Sequence, residues 1–424
     1  MKTKYFMPVL FLFLSALLVC CTEEFVGQPS TDSTSPGTIS VVKVESTPGG
    51  ANIIYKAPSD PDLLYVKAYY ELNGKMQNTS ASLYTDTLKI VGFGNTDPQT
   101  IQVCCVDRSG NEGKAVPVDI KPLTPVVEQV FETIHMVTAS GGIQLTWENK
   151  VRESVAIVIY ASDNNGYLTE ADVVYTSVPK GKYTLRGFDD KERTFAVKIR
   201  DRWGNNSEIK EGKFTPYFEE EIPKENGKGA MKRYWLPFDN PTNISWTNFE
   251  FWNMFDGITV GENMFHTNYG PPQSPVYFTI DLGCLVKLGR YKLWYRQNTG
   301  WGHHNPRKWR LYATADPKPS QDAHPSDEEE YWNKDANGVP PGKFATDTAL
   351  GWYKVGDFEA EKPSLNGGSP QDDNDVMLSG LEFEVDPNLP PVRYIRFELV
   401  ITWGGATDNV HISEWGFWLS LIHI

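Results

Sequence analysis

The sequence lacks the short motifs that mark the common classes of catalytic site. It contains no G-x-S-x-G nucleophile turn, no H-E-x-x-H metal helix, no P-loop and no G-x-G-x-x-G dinucleotide loop. Adjacent carboxylates occur at residues 328–330, but that run is typical of a solvated surface, whereas a glycosidase holds two acids across a cleft. The sequence therefore favours a binding protein over an enzyme.

Positive charge is also scarce. The chain has 40 Lys and Arg against 54 Asp and Glu, which gives a formal net charge of −14 at pH 7. No basic stripe compensates, so phosphate backbones and anionic headgroups should be repelled by the folded surface. Nucleic acid is therefore not an expected partner.

Cysteine is nearly absent, with five in 424 residues. After the adjacent pair at 20–21, the remaining Cys104, Cys105 and Cys284 follow no spacing typical of a disulfide framework or a zinc site. Neighbours on a strand point to opposite faces, so Cys104 and Cys105 are not expected to pair with each other. One of the two is expected to be a small core residue.

Long hydrophobic runs are missing apart from residues 9–19, which are too few to span a bilayer comfortably. Two lysines precede this run, and the pattern predicts a signal peptide over residues 1–20. Its Leu-Val-Cys-Cys ending resembles the bacterial lipobox, which implies acylation of Cys21 and contact with the membrane only through that lipid. An ordinary secretory signal is the alternative.

A polar stretch follows the predicted lipid site. It begins TEEF and continues rich in Ser, Thr, Pro and Gly, which predicts a flexible lipid-anchored linker over residues 21–38. The two acids resemble the export tag of surface-exposed lipoproteins in Bacteroidota-type bacteria.

An internal repeat follows. TPGGANIIYKAP (47–58) matches ASGGIQLTWENK (139–150), and VCCVDRSGNEG (103–113) matches VKIRDRWGNNS (197–207). A Gly-Gly turn entering an alternating strand and a tight Asp-Arg-x-Gly-Asn turn, about sixty residues apart, suit a seven-stranded sandwich. The pattern resembles Ig-like or fibronectin type III-like domains, and it predicts two of them, at 39–122 and 123–217, with a charged linker over 218–233.

The last part of the chain, residues 234–424, is rich in tryptophan. It contains FEFWNMFDGITVGENMFHT, SPVYFTIDLGCLVKLGRYKLWYR, PPVRYIRFELVI and HISEWGFWL in this order. The order resembles the discoidin fold of coagulation-factor C-type domains and family 32 carbohydrate-binding modules. The resemblance implies an eight-stranded, galactose-binding-like jelly-roll. The sequence departs from the family pattern at residues 316–343, which are expected to form an inserted acidic loop. The predicted fold class is therefore all-β, with two sandwiches followed by a discoidin-like β jelly-roll.

The segment RQNTGWGHHNPRKW (296–309) is punctuated by Gly, Asn and Pro too often for a regular element. In the discoidin fold, ligands bind to loops at one end of the barrel, and TWGGATDNVH (402–411) is expected at the same end. Indole faces stack on sugar rings, and polar side chains bond the hydroxyls. The predicted glycan-binding residues are Trp301, His303, His304, Asn305, Arg307, Trp403 and Asp408.

Each of these residues also has a structural interpretation. Trp301 and Trp403 could be anchors folded into the barrel mouth, and Trp309 is expected in the core. A metal site at the adjacent pair 303–304 is disfavoured because no third ligand lies at helical spacing. Arg307 could pair with the acidic insert, a contact worth little at the surface.

A structural calcium ion is a further expectation, since family 32 modules often hold one. The resemblance implies Asp256, the backbone of Thr259, and Glu414 as ligands, and oxygen ligands suit calcium. The segment DGITVG offers one acid where a rich site has two or three, so Asp256 could simply begin an Asp-Gly turn.

These features predict an outer-membrane lipoprotein, facing the cell exterior, whose C-terminal module binds polysaccharide or oligosaccharide. The architecture resembles accessory glycan-capture proteins of polysaccharide-utilisation systems, which implies partners from an outer-membrane glycan-uptake complex. The alternatives are a protein-binding adhesin or scaffold and, less favoured, a glycoside hydrolase.

Overall fold

A computed structural model of the chain describes residues 32–224, 231–242, 249–268 and 275–420. The predicted signal peptide, the acylation site Cys21 and residues 21–31 of the predicted linker lie outside these ranges and stay predictions. Within the described ranges, no helix is long and apolar enough to cross a membrane. The predicted all-β class is confirmed: two β-sandwiches precede a β jelly-roll.

The chain divides into two compact units, one ending at residue 125 and one starting at 126. The first is a seven-stranded antiparallel sandwich with sheet orders β1-β2-β5 and β4-β3-β6-β7. Its strands are β1 (Ser40–Thr47), β2 (Gly50–Lys56), β3 (Leu63–Leu72), β4 (Lys75–Ser82), β5 (Thr87–Val91), β6 (Gln99–Asp107) and β7 (Val116–Ile120). Cys104 and Cys105 on β6 are both buried and both free thiols.

The second unit begins with a sandwich of the same topology, in sheets β12-β9-β8 and β11-β10-β13-β14. Its elements are α1 (Val126–Thr133), β8 (His135–Ala139), β9 (Gly142–Glu148), β10 (Val155–Ser162), β11 (Leu168–Thr176), β12 (Lys180–Leu185), β13 (Arg193–Asp201) and β14 (Lys210–Phe214). The amphipathic helix α1 packs Val127 and Val130 into the core of this sandwich.

The repeated motifs perform the same structural task in both sandwiches. A Cβ at Gly50 would lie 2.0 Å from the carbonyl oxygen of Ile90, and one at Gly142 would lie 1.8 Å from that of Leu185. Only glycine allows such close strand approach. In the other motif, the Asp107 carboxylate accepts the N–H of Asn111 at 2.8 Å, and the corresponding pair in the second sandwich makes the same turn.

The predicted linker covers residues 21–38, and its described end, residues 32–38, is not flexible but makes contacts with the first sandwich. The N–H of Gly37 donates to Asp60 at 2.6 Å, and the amide of Asn111 donates to the carbonyl of Thr34 at 3.4 Å. Pro36 is buried. These residues therefore lie against the first sandwich.

The jelly-roll has a five-stranded sheet, β16-β18-β23-β20-β21, a four-stranded sheet, β15-β25-β19-β22, and the short pair β17-β24. Its strands are β15 (Glu220–Glu221), β16 (Lys232–Tyr234), β17 (Phe265–His266), β18 (Tyr277–Val286), β19 (Leu288–Trp294), β20 (Pro306–Thr314), β21 (Trp352–Glu359), β22 (Leu381–Glu384), β23 (Val392–Thr402), β24 (His411–Ile412) and β25 (Glu414–Leu419). Its helices are α2 (Lys318–Ala323), α3 (Glu329–Trp332) and α4 (Pro370–Ser379), with 3₁₀ turns that include Phe251–Phe255 and Gln297–Thr299.

An aromatic and aliphatic core fills the space between the two large sheets. Trp309 is fully buried there, as predicted, and it stacks near Phe397 while its indole N–H donates to the Tyr291 hydroxyl at 3.0 Å. Trp415 packs edge-on against Phe397. This rigid core fixes the ends of the strands from which the mouth loops extend.

The prediction of a linker over 218–233 is wrong for the described residues of that segment. Ile222 is fully buried in the jelly-roll core, and the flanking strands β15 and β16 pair with β25 and β18. The charged residues around Ile222 gave no sign that its side chain would be buried. One buried apolar side chain is enough to hold a short edge strand against a sheet.

The acidic insert, 316–343, is folded rather than a plain loop. It forms α2 and α3 and buries Tyr331 and Trp332 in a second aromatic cluster with Tyr277 and Tyr312. Those two tyrosines alternate with core residues on β18 and β20, so this cluster lies on the face of the sheet away from the main core.

The second sandwich and the jelly-roll are joined by a cluster of charges. Arg186, directly after β12, donates to Glu219 at 3.2 Å, to Glu382 at 3.0 Å and to Glu384. Arg290 on β19 holds Glu219 from the other side at 2.6 Å. Both guanidinium groups are mostly buried, so these contacts act with little solvent screening.

Candidate functional site

The two mouth loops meet because their flanking strands are neighbours in one sheet. Pro306 at the start of β20 pairs with Thr402 at the end of β23. Just beyond this pair, the N–H of Trp403 donates to the carbonyl of Asn305 at 2.9 Å. The loops 295–305 and 403–410 therefore lie side by side, as the sequence predicts.

Trp301 and Trp403 contact each other at this mouth. Their ring centroids are 5.3 Å apart and their planes are almost perpendicular, at 89°. Each ring is partly buried against the core, and each indole N–H is satisfied inside the protein: Trp301 by the carbonyl of Asp373 at 3.1 Å, Trp403 by the hydroxyl of Tyr295 at 3.0 Å. The rings thus act as anchors for the loops, and only part of each is left for a ligand.

Asn305 organises the loop and is not a ligand-contacting side chain. It is fully buried, and its carboxamide oxygen accepts the N–H of Arg296 at 3.1 Å. Its nitrogen faces three acceptors: the carbonyl of Arg296, the hydroxyl of Thr299 at 3.2 Å and the carbonyl of Gly300 at 2.6 Å. The sequence-based assignment of this residue to a glycan is therefore wrong, because a buried and saturated amide cannot reach a ligand.

Three polar side chains lie on or beside the mouth loops: His303 in the first loop, Arg307 at the start of β20 and Asp408 in the second loop. His303 is exposed and adopts a left-handed backbone conformation, with φ of 48°. The guanidinium carbon of Arg307 stands 5.1 Å from the centre of the Trp403 ring, and its nitrogen pairs with Glu359 at 3.5 Å. Glu359 lies on β21, so this ion pair of Arg307 is with that strand and not with the acidic insert. Asp408 is partly exposed.

His304 turns away from this rim into a cluster with His266 on β17 and His411 on β24. One nitrogen of each ring lies within 4.8 Å of the others. Burial is the main cause that lowers the pKa of His266 to about 4, and burial also lowers the pKa of His304 and His411 below 6.5. All three imidazoles are therefore neutral at pH 7.

The residues expected to hold calcium have other partners in this arrangement. The Nζ atom of Lys224 stands 2.8 Å from a carboxylate oxygen of the buried Glu414, where the cation would be needed. The carbonyl of Thr259 accepts an N–H of Gln297 at 3.0 Å, and Asp256 accepts a backbone N–H of its own turn. Calcium prefers six to eight oxygen ligands, and these groups are engaged otherwise. The calcium assignment stays a prediction.

Sequence reasoning missed four side chains of interest. His266 and His411 join the histidine cluster, and Trp235 and Trp252 are 55% and 54% exposed. The density of tryptophan after residue 234 was the available signal for the two indoles. No local pattern marks the two histidines, because each lies on a two-residue strand.

Three family models match consecutive segments of the chain. All three describe domains of unknown function: DUF4959 at residues 36–122, DUF5126 at 123–225 and DUF5000 at 252–419. The first two matches cover the sandwiches, and the third covers most of the jelly-roll. A search of curated protein sequences finds no match.

Solved structures similar to this chain include a SusE-like protein, 26% identical, over 70% of this chain and 100% of that one, with a TM-score of 0.38. Two further similar structures are carbohydrate-binding modules from Clostridium perfringens. CBM32-3 of a family 31 glycoside hydrolase is 13% identical over 46% of this chain and 93% of its own, with a TM-score of 0.29. The family 32 module of NanJ, in complex with galactose, is 14% identical over 47% and 98%, with a TM-score of 0.27.

Proposed function

We propose that this chain is a non-catalytic carbohydrate-binding protein whose glycan site is the rim of the jelly-roll mouth. The site comprises the exposed part of Trp403 with Arg307, His303 and Asp408 around it. The observation that carries the proposal is the placement of the Arg307 guanidinium beside the Trp403 ring on the rim.

The chemistry of this rim suits a sugar. A partly exposed indole offers a flat apolar surface to the C–H face of a pyranose. Guanidinium, imidazole and carboxylate groups together supply donors and acceptors for ring hydroxyls. Trp301 supports Trp403 edge-on from beneath the rim and holds the ring in place.

A binding role, rather than catalysis, is supported by the partners of the buried acids. A glycosidase needs a carboxyl group free to move a proton next to a second carboxylate. Among the described residues, two buried carboxylates of the jelly-roll contact guanidinium groups instead, in the pairs Glu398–Arg310 and Asp239–Arg396.

The cellular setting is also part of the proposal. The lipobox-like end of the predicted leader supports an outer-membrane lipoprotein that faces the cell exterior. There the chain would act as an accessory to polysaccharide capture, beside the proteins of a glycan-uptake complex. One shallow site binds weakly, so several copies or neighbouring binders would raise the avidity.

Glycan-array binding tests the proposal. The full soluble chain, produced without residues 1–21, is compared with Arg307→Ala, which alters an exposed side chain of the rim. At least tenfold weaker binding, or about 1.4 kcal/mol, is expected because the charged donor beside the indole is lost. Galactose, which is bound in the similar NanJ module, is the first soluble competitor.

Trp252→Ala is the matched control, because it removes an exposed indole of the same domain that belongs to neither mouth loop. It should leave glycan binding unchanged. Binding that survives Arg307→Ala but is lost in Trp252→Ala would contradict the proposed site. A scaffold role would be favoured instead if the chain bound no glycan but bound a protein partner. That binding should then be lost when the exposed Asp322 and Asp327 of the insert are changed to Lys.

A further inference from the structure

Three histidines from distant parts of the chain converge beneath the mouth. His266 and His411 face each other across the β17–β24 pair, and the N–H of His411 donates to the carbonyl of His304 at 3.1 Å. The ring centroids are 5.3 Å apart for His266 and His304, and 5.7 Å apart for the other two pairs. Each imidazole is thus about equally far from the other two.

The hydrogen bonds of His266 fix which of its nitrogens can bind a metal. Its Nδ1 lies 2.5 Å from the carbonyl of Thr267, which can only accept, so Nδ1 carries the proton. Its Nε2 therefore has a lone pair, which accepts a hydrogen bond from Nδ1 of His304 at 3.1 Å, and a metal ion would take the place of that shared proton. A carbonyl acceptor on the far nitrogen is the support that metal-binding histidines commonly have.

His411 supplies a second, independent observation. Its side chain is 1% exposed, and within the described part of the chain its Nδ1 has no hydrogen-bond partner. Its Nε2 makes only a long contact, 3.5 Å, with the hydroxyl of Thr299. A buried polar atom without a partner is destabilising, so packing alone does not explain this histidine.

We propose that His266, His304 and His411 form a tris-histidine site for a transition-metal ion, with Zn²⁺ as its first candidate. Zinc binds histidine nitrogens at about 2.0 Å in tetrahedral geometry, which sets such nitrogens about 3.3 Å apart. The 3.1 Å between His266 and His304 is close to this value. Nitrogen ligands distinguish this site from the oxygen-rich site that calcium needs.

Charged groups also lie near the cluster. The negative charge of Asp408 acts on His304. Arg296 brings a positive charge to the same region, and Glu262 neutralises it through an ion pair of 2.6 Å. A water molecule in the fourth position would complete the tetrahedron.

The ion would fasten the loop before β20 to the β17–β24 pair. This loop also carries Trp301 and His303, so metal binding would stiffen the mouth. The metal proposal stands apart from the glycan proposal, because the three imidazoles form the site whether or not a sugar binds above it.

Calorimetric titration of the chelator-treated full soluble chain with Zn²⁺ tests the inference. One equivalent is expected to bind, with a rise in the melting temperature. His304→Ala, which changes a partly exposed ring, and His411→Gln, which keeps a polar side chain, should each weaken binding at least 100-fold. His135→Ala, at an exposed histidine of the second sandwich, should bind as the parent does.

Cobalt(II) absorption identifies the ligand atoms, because thiolate and imidazole ligation give different spectra, and Cys284 is an exposed free thiol. A spectrum without thiolate bands, abolished in His304→Ala, supports the site. Thiolate bands, no zinc uptake, or uptake unchanged in both His304→Ala and His411→Gln would overturn it.

Discussion

Trp301 and Trp403 meet edge to face with ring centroids 5.3 Å apart, although they belong to two loops separated by four strands of the chain. Each indole N–H is bonded inside the barrel, so both rings are held in one orientation. Pre-organised aromatic rings lose little conformational entropy when a ligand binds. The mouth is therefore a fixed surface, and its fixing contacts can be tested one by one.

Asn305 should control the order of the first mouth loop. Asn305→Asp keeps the acceptor for the N–H of Arg296 but sets a carboxylate against the carbonyl of Gly300. We expect the free energy of unfolding to fall by about 2–4 kcal/mol, because a buried charge would be left facing acceptors. Urea denaturation measures this. Asn298→Asp, at an exposed position of the same loop, is the control, and equal effects would contradict the role of Asn305.

Arg396 should hold the aromatic cluster on the outer face of the five-stranded sheet. Its guanidinium is fully buried, donates to the carbonyl of Pro237 at 2.6 Å and lies 3.4 Å from Asp239. Arg396→Met should cost about 3–5 kcal/mol, because Asp239 is left as an unpaired buried acid. Adding Asp239→Asn should recover part of the loss in chemical denaturation. A double variant no better than Arg396→Met would show that the ion pair is not the cause.

Arg186 should couple the unfolding of the second sandwich to that of the jelly-roll. Arg186→Ala removes the shared partner of Glu219, Glu382 and Glu384. The three mostly buried carboxylates would then repel one another, and burial already raises the pKa of Glu384. Scanning calorimetry should show one transition of this unit split into two. Arg202→Ala, at an exposed arginine of the sandwich, should leave a single transition.

Glu414 should make stability depend on pH near neutrality. Burial is the main cause that raises its pKa to about 7 from 4.5, with Asp256 adding to the rise and Lys224 opposing it. The folded state therefore binds this proton more tightly than the unfolded state. The contribution is full below about pH 4.5 and is lost as pH rises through 7, by at most about 3 kcal/mol. Glu414→Gln should flatten the unfolding free energy between pH 5 and 8, and an unchanged slope would contradict the assignment.

The convergence of the two mouth loops could be predicted from the sequence, because strand order fixes where neighbouring loops emerge. Alternation also placed Trp309 in the core. For Arg396 on β23, alternation along the strand gives only the face on which it lies. It could not show that aromatic side chains of the insert cover the outer face of the sheet and enclose this charge.

Local sequence patterns could not predict other features of the structure. The histidine cluster depends on β17 and β24, and two-residue strands carry no periodic signal. The buried state of Asn305 depends on how a whole turn closes around its amide. The contact between Lys224 and Glu414 could not be predicted either. Lys224 is one basic residue in a charged segment, and nothing in the sequence indicated that it would lie at the expected calcium position.

Heteronuclear NMR of the indole N–H groups tests the glycan proposal most directly. The strongest glycan from the array is titrated into ¹⁵N-labelled protein, with the signals of Trp403 and Trp301 assigned through Trp403→Phe and Trp301→Phe. We predict that these two signals move with the ligand concentration while those of the exposed Trp235 and Trp252 stay in place. Saturable binding that moves only Trp235 or Trp252, and leaves both mouth signals unshifted, would contradict the account.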